Sequence, residues 1–193
     1  MSAIQTRVWK GIQFNTSEYL KLTSSATDQE VRSFITGEVE GIPVHIEYQL
    51  KIDSTWKVSF IFIKLISDTE QEIRLSSSTA GGWQADGVNM PGLDACTVPD
   101  ISFTPFTNTL AIKRLDLQIG EQSEITVLYF DLPELMPKPM RQRYTRLDDR
   151  VYMYENVDSD FKAVLNIDEQ AFVVDYPGLW KRVVLSEFSS GSL

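Results

Sequence analysis

Histidine and cysteine, the residue types that most often act as bases, nucleophiles or zinc ligands, occur once each in this chain, as His45 and Cys96. A cysteine nucleophile needs a base beside it, and a zinc site needs three or four ligands. His45 lies on the polar face of an alternating segment. We therefore expect a solvated histidine, a cysteine packed in or beside a loop, no metal site and no cofactor.

Carboxylates are the remaining candidates for acid–base chemistry. Asp94 and Asp100 flank Cys96, and two further close pairs are Asp148 with Asp149 and Asp158 with Asp160. Paired acids hydrolyse glycosides only at defined separations, which a sequence does not reveal. The sequence contains no phosphate-binding glycine loop, nucleophile elbow or zinc-protease motif. We interpret the acids as turn and surface residues and predict that the chain is not an enzyme, with a hydrolase using Asp148 and Asp149 as an alternative.

Aromatic residues are abundant, with four tryptophans, ten phenylalanines and seven tyrosines. Large flat side chains fill a β-sheet core, and they also line acyl-chain cavities and stack on sugars. Residues 132–140 combine long apolar side chains with Pro133, Pro137 and Pro139, which disfavour a helix. This segment predicts a packed connection or a stiff lid over an apolar opening.

Charge and composition exclude several classes of protein. The formal net charge is −9, from 27 acidic and 18 basic residues, so nucleic-acid phosphates and anionic membranes would be repelled. No run reaches the roughly 18 apolar residues of a membrane span. Residues 1–10 lack the apolar core of a secretory signal, and a single cysteine fits a reducing compartment. We expect a cytoplasmic protein if the chain is full length.

Strict alternation of apolar and polar residues over Ile42–Asp53 predicts a strand with one buried and one wet face. A second β-rich run, 56–65, follows a short polar break and predicts a hairpin. The same reasoning predicts strands at 7–14, 18–23, 31–39, 72–78, 112–119, 124–131, 150–155, 161–167 and 172–176. No segment shows capped helical periodicity, so the predicted class is all-β.

The chain length of 193 residues suits one domain. Residues 48–53 ahead of Val58 align with 163–168 ahead of Val173, at an offset of 115 in both places. Each is an alternating strand that ends in Ile-Asp before another β-rich run. The pattern predicts one domain, 1–193, with an internal repeat of roughly 1–95 and 100–193.

Several sequence blocks resemble the signature of a known bacterial family. They are Asp86-Gly87, residues 93–96, residues 100–115 with the core Thr-Pro-Phe-Thr-Asn-Thr-Leu, Gln142-Arg143-Tyr144, and residues 175–180. Together they resemble the putative glycolipid-binding family, formerly a domain of unknown function. Ala95, Val98 and residues 111–114 depart from the family pattern.

The resemblance implies an all-β fold, a curled antiparallel sheet or open barrel-like architecture built from two duplicated halves. It implies non-catalytic binding of a glycolipid or other lipid in an apolar cavity. The candidate ligand-binding residues are Asn108, Arg114, Arg143, Tyr144, Tyr176 and Trp180. The two arginines are expected to bind an anionic or sugar headgroup.

Two other interpretations stay open. Residues 104–108 also read as a turn that holds a crossover between the halves. The whole chain also fits an interaction or scaffold protein with a filled core and no small-molecule ligand. The sequence leaves the ligand and the oligomeric state undetermined.

Overall fold

The computed structural model describes residues 3–78, 81–132 and 134–184. One helix, α1 (Phe106–Leu115), accompanies fifteen strands. The strands that precede the helix are β1 (Ala3–Gly11), β2 (Asn15–Ser24), β3 (Asp28–Val39), β4 (Ile42–Asp53), β5 (Val58–Ile66), β6 (Glu70–Ser77), β7 (Trp83–Ala85), β8 (Val88–Asn89) and β9 (Pro99–Ile101). Those that follow are β10 (Gln122–Phe130), β11 (Pro137–Asp148), β12 (Val151–Asn156), β13 (Lys162–Ile167), β14 (Val173–Tyr176) and β15 (Trp180–Arg182).

All strands belong to one sheet, in the order β8-β7-β6-β5-β4-β3-β2-β1-β15-β14-β13-β12-β11-β10-β9. Neighbours are antiparallel except β9 and β10, which are parallel. The first half of the sheet, β1 to β8, joins the second half, β9 to β15, where β1 pairs with β15. The buried Trp9 indole of β1 donates a hydrogen bond to Val173 O of β14 at 2.8 Å across this junction. The sheet is not closed into a barrel, because β8 and β9 end it. The predicted all-β, curled antiparallel class is confirmed.

Alternating side chains explain why one face of this sheet is buried. In β4, Ile46, Tyr48, Leu50 and Ile52 are buried while the intervening residues are more exposed. The predicted two-faced strand at Ile42–Asp53 is therefore confirmed. Helix α1 packs on β9, β10 and β14, and a single apolar cluster contains residues of the helix and of strands on both sides of the β1–β15 pair.

The helix α1 corrects the prediction of a strand at 112–119 and of a simple turn at 104–108. Seven of its ten residues, 106–112, are buried, so no polar face reveals a helical period. Thr107 and Thr109 also weaken its helix propensity, which core packing overrides. Thr104 Oγ1 accepts a hydrogen bond from Phe106 N at 3.0 Å, and Asp116 ends the helix in a left-handed conformation.

Strand β11 was not predicted, and it begins inside the proline-rich segment. Pro137 pairs with Phe130 and Pro139 with Leu128, whereas β12 pairs with β11 only from Gln142 onward. The prolines thus sit where one side of β11 has no partner strand, the position at which a sheet tolerates them. Pro133 lies outside the described residues. The short strands β7, β8, β9 and β15 were also missed.

Two turns in different halves share one geometry. Asp53 Oδ1 accepts from the backbone N–H groups of Thr55 and Lys57 at 2.8 and 3.0 Å. Asp168 Oδ1 accepts from Gln170 N and Phe172 N at 2.9 and 3.0 Å. A residue of positive φ, Trp56 or Ala171, occupies the same place in each turn. The full internal duplication stays a prediction from the sequence.

Among the described residues, no helix is long and apolar enough to cross a membrane.

Candidate functional site

A recess of about 460 Å³ opens at one end of the sheet, between the two halves. Alternate hairpin turns of the meander meet at this end, so five of them surround it: β1–β2, β3–β4, β10–β11, β12–β13 and β14–β15. Its floor comes from β9, the connection 102–104 and the start of α1. The segment with the Thr-Pro-Phe-Thr-Asn core therefore forms part of the lining.

Aromatic rings form the walls of the recess. On the side of the first half, Phe14 stacks on Phe103 with ring centroids 4.7 Å apart. On the side of the second half, the ring centroid of Tyr154 lies 5.9 Å from that of Phe161 and 6.4 Å from that of Tyr176. Phe161 lines the recess and keeps 43% of its surface exposed.

Two hydroxyls in this wall lack protein partners. Tyr154 and Tyr176 are each only 6% exposed, and neither hydroxyl forms a hydrogen bond with any described residue. Burial raises the pKa of both phenols, and the nearby Asp100 carboxyl adds to the shift. Both hydroxyls are thus protonated at neutral pH and available to donate a hydrogen bond into the recess.

A polar network fixes the floor to the second half. The Asp100 carboxylate accepts from Thr107 Oγ1 at 2.8 Å and from Gln142 Nε2 at 2.6 Å. The Tyr144 hydroxyl, between β11 and the helix, lies 3.0 Å from Asn108 Oδ1 and 3.2 Å from Gln142 Oε1. Burial raises the pKa of the Asp100 carboxyl above its ordinary value. The start of α1 is therefore held to β9 and β11.

A second network fixes the same segment to the first half. Glu18 Oε1, which is buried, accepts from Tyr48 at 2.6 Å, Ser33 at 2.7 Å and Thr104 at 2.9 Å. Burial raises the pKa of Glu18 to about 7, more than these hydrogen bonds lower it. Residues 104–108 are thus bonded to strands of both halves of the sheet.

Four of the six residues proposed from the sequence lie at the recess. Asn108, Tyr176 and Trp180 line it, and Tyr144 contacts Asn108 from behind. Tyr176 and Trp180 are brought there by the short hairpin β14–β15. These four residues come from a helix and three strands that are up to 72 residues apart in the chain.

Arg114 and Arg143 lie elsewhere. Arg114, in the last turn of α1, is exposed and donates to Thr55 O at 3.3 Å, in a turn at the opposite end of the sheet. Arg143 points away from the buried Gln142 and Tyr144, which flank it in β11, and pairs with Glu124 at 2.6 Å. Neither arginine is placed to bind a headgroup in the recess.

Asp100 and Tyr154 are functional candidates that sequence reasoning did not select. Asp100 was noted as one of two acids that flank Cys96 and as the first residue of the block 100–115, and not as a ligand-binding residue. The signal for Tyr154 is the alternation in β12, which places Tyr152 and Tyr154 on the buried face. That pattern identifies a buried tyrosine but not its neighbours in space.

The other chemical candidates lie outside the recess. His45 Nε2 is 3.0 Å from Glu47 Oε1 on β4. Cys96 is 6% exposed, and burial raises the pKa of its thiol to about 11. Asp148, at the end of β11, and the turn residues Asp149, Asp158 and Asp160 are exposed. Within the described part of the chain, no three His, Cys, Asp or Glu side chains gather to hold a metal ion.

Comparison with known proteins places the chain in a family. No curated protein matches it. Its structure is similar to a solved DUF1089 family protein from Pseudomonas aeruginosa, with a TM-score of 0.76 and 39% sequence identity over 86% of this chain and 92% of that one. Residues 6–182 match the family described as "Putative glycolipid-binding". This chain therefore belongs to the putative glycolipid-binding family.

Proposed function

We propose that this chain binds a lipid, and specifically a glycolipid, in the recess between its two halves, without catalysing a reaction. The observation that carries the proposal is the recess itself. Its volume of about 460 Å³ falls within the roughly 300–1,000 Å³ typical of small-molecule sites, and aromatic side chains form its walls. Family membership supports the same class of ligand.

The lining is divided into apolar and polar parts, as an amphiphile requires. Leu132, Met140 and Leu179 join the aromatic residues on the apolar part. Asp100, Asn108 and Asn156 contribute polar groups. Burial of an acyl chain against the first group would stabilise the complex by about 25 cal/mol per Å² of apolar surface removed from water.

Binding without reaction is supported by the hydrogen bonds of Asp100, the carboxylate in the floor of the recess. Both oxygens of Asp100 already accept hydrogen bonds, from Thr107 and Gln142, which gives this acid a structural role. The reactive candidates His45 and Cys96 come from strands and loops away from the recess.

The experiment is analysis of bound lipid. Protein purified without detergent is extracted with organic solvent, and the extract is examined by mass spectrometry and compared with that of Met140→Trp, which fills the recess. Met136→Trp is the control, because Met136 is 66% exposed and is not part of the lining. We expect lipid with the parent chain and the control, and a loss of at least fivefold with Met140→Trp.

Absence of lipid from all three proteins, together with no binding of a fluorescent uncharged alkyl glycoside, would contradict the proposal. It would favour the alternative predicted from the sequence, an interaction protein with a filled core.

A further inference from the structure

We infer that the recess recognises an uncharged, polyhydroxylated group, a sugar ring, through Tyr154, Tyr176, Asp100 and Asn108, and discriminates against anionic headgroups. This inference rests on the proposed function and assigns the ligand class and the residues that select it.

The first argument is the pair of unpartnered hydroxyls. A largely buried tyrosine normally has a hydrogen-bond partner for its hydroxyl. Tyr154 and Tyr176 lie side by side in the wall and are each 6% exposed, and neither hydroxyl has a partner among the described residues. Both residues line the recess, and neither hydroxyl oxygen is among the fully buried atoms that lack a partner, so both hydroxyls face the open recess. A ligand oxygen at this place would accept from both hydroxyls in place of water.

The second argument is the balance of donors and acceptors on the floor. Asn108 is 7% exposed as a residue. Its amide nitrogen carries two hydrogens and makes a single long hydrogen bond, 3.4 Å to Pro105 O. Asp100 adds carboxylate oxygens that accept only. Sugar hydroxyls both donate and accept, so one ring can accept from Asn108 and the two phenols and donate to the remaining lone pairs of the Asp100 oxygens. Flat aromatic walls suit the apolar face of such a ring.

The third argument is the charge of the lining. The described lining residues include the carboxylates Glu40, Asp100 and Asp131 and neither lysine nor arginine. Lys138 lies 3.6 Å from Asp131 but is 55% exposed and engaged by that carboxylate. A phosphate or fatty-acid carboxylate placed here would be repelled by these three acids. A cation is also disfavoured at the floor, because Asp100 and Asp131 already have partners and the free groups beside them are neutral hydroxyls.

The experiment compares ligands of equal chain length by isothermal titration calorimetry, below their micelle concentrations. The probes are decyl glucoside, decyl phosphate, decyltrimethylammonium and methyl glucoside, which has no long chain. We expect decyl glucoside to bind at least tenfold more tightly than the two charged decyl probes. Measurable binding of methyl glucoside would show that a free saccharide suffices, and absence of its binding would show that the lipid chain is needed; both results agree with sugar recognition.

The double variant Tyr154→Phe/Tyr176→Phe tests the residues. It removes hydroxyls that hold nothing within the protein, so the fold stays intact, and we expect the dissociation constant for decyl glucoside to rise about 5- to 100-fold. Tyr19→Phe, on the outer face, is the control. Asp131→Lys is expected to strengthen decyl phosphate binding, whereas Asp68→Lys, in the exposed β5–β6 turn, is not.

The outcomes separate the two proposals. Equal binding of all three decyl probes, or an unchanged glucoside affinity in the double variant, would overturn the inference and leave lipid binding intact. Preference for either charged probe would overturn it as well. Failure of every decyl probe to bind would overturn the proposed function and this inference with it.

Discussion

The Glu18 carboxylate in β2 accepts a hydrogen bond from Thr104 Oγ1 at 2.9 Å, across 86 residues of sequence. Thr104 lines the recess and also accepts a hydrogen bond from the first backbone N–H of α1. The contact therefore connects the first half of the sheet to the floor of the recess through a buried titratable group. The second carboxylate oxygen of Glu18, Oε2, is buried without a partner among the described residues.

The first prediction concerns Glu18 and pH. Burial raises its pKa from 4.5 to about 7 in the folded chain, so the folded state binds the proton more tightly than the unfolded state. This contribution to the free energy of unfolding is complete below pH 4.5, falls as the pH rises, and is lost above about pH 7. The loss is about 3 kcal/mol. We expect Glu18→Gln, which cannot ionise, to be the more stable protein at pH 8.

Urea unfolding of both proteins between pH 4.5 and 8.5 measures this difference. The Glu18→Gln curve should lie above the parent curve at high pH and approach it at low pH. Parallel curves over the whole range would show that Glu18 does not titrate in this window.

The second prediction contrasts two buried tyrosines. Tyr144→Phe removes the donor shared by Asn108 Oδ1 and Gln142 Oε1, so it should lower the free energy of unfolding by about 1–3 kcal/mol. Tyr176→Phe removes a hydroxyl that makes no hydrogen bond with any described residue and faces the open recess, so it should change stability by less than about 0.5 kcal/mol. Thermal denaturation of both variants measures this, and equal losses would contradict the assigned partners.

The third prediction concerns the close approach of β2 and β3 beside the recess. A Cβ on Gly37 would overlap Asn15 O and stand 2.5 Å from Thr16 Cα, both of them backbone atoms that cannot move aside cheaply. Gly37→Ala should cost about 3 kcal/mol or more. Gly41→Ala is the control, since Gly41 has φ +82° but nothing within 4 Å, and should cost about 1 kcal/mol. Similar unfolding midpoints for the two variants would show that the strands can separate.

The fourth prediction tests the two equivalent turns. Asp53→Ala and Asp168→Ala each remove a carboxylate that accepts two turn N–H groups. Asp168 also pairs with Arg182 and, at 3.5 Å, with Arg7, which lie on the two strands that join the halves. We expect Asp168→Ala to be the more destabilising by about 1–2 kcal/mol. A larger loss for Asp53→Ala in denaturant unfolding would be the opposite result.

Local sequence patterns were sufficient for most strands and insufficient for the helix. The alternation of apolar and polar residues in β4 indicates a strand with one buried and one solvent-exposed face. It can be read from Ile46, Tyr48 and their sequence neighbours alone. Helix α1 is surrounded by core, so Phe106 and Leu110 have no polar counterparts to reveal a period. Its existence depends on the sheet that encloses it.

The candidate site was only partly predictable for a related reason. Asn108 and Tyr144 were identified by a family motif, whereas the placement of Tyr154 and Tyr176 beside Asp100 depends on the order of the strands in the sheet. Arg114 was misplaced because its segment was taken for a strand. For Arg143 the alternation was informative, since it lies between Gln142 and Tyr144, whose side chains are buried.

The most direct test of sugar recognition in the recess is a crystal structure of the protein with decyl glucoside. We predict that the glucosyl group lies in the recess, with sugar oxygens within about 3 Å of the Tyr154 and Tyr176 hydroxyls. We also predict that the alkyl chain lies against the apolar part of the lining. A saturated complex with the sugar outside the recess, or with the alkyl chain in place of the ring beside these hydroxyls, would contradict the account.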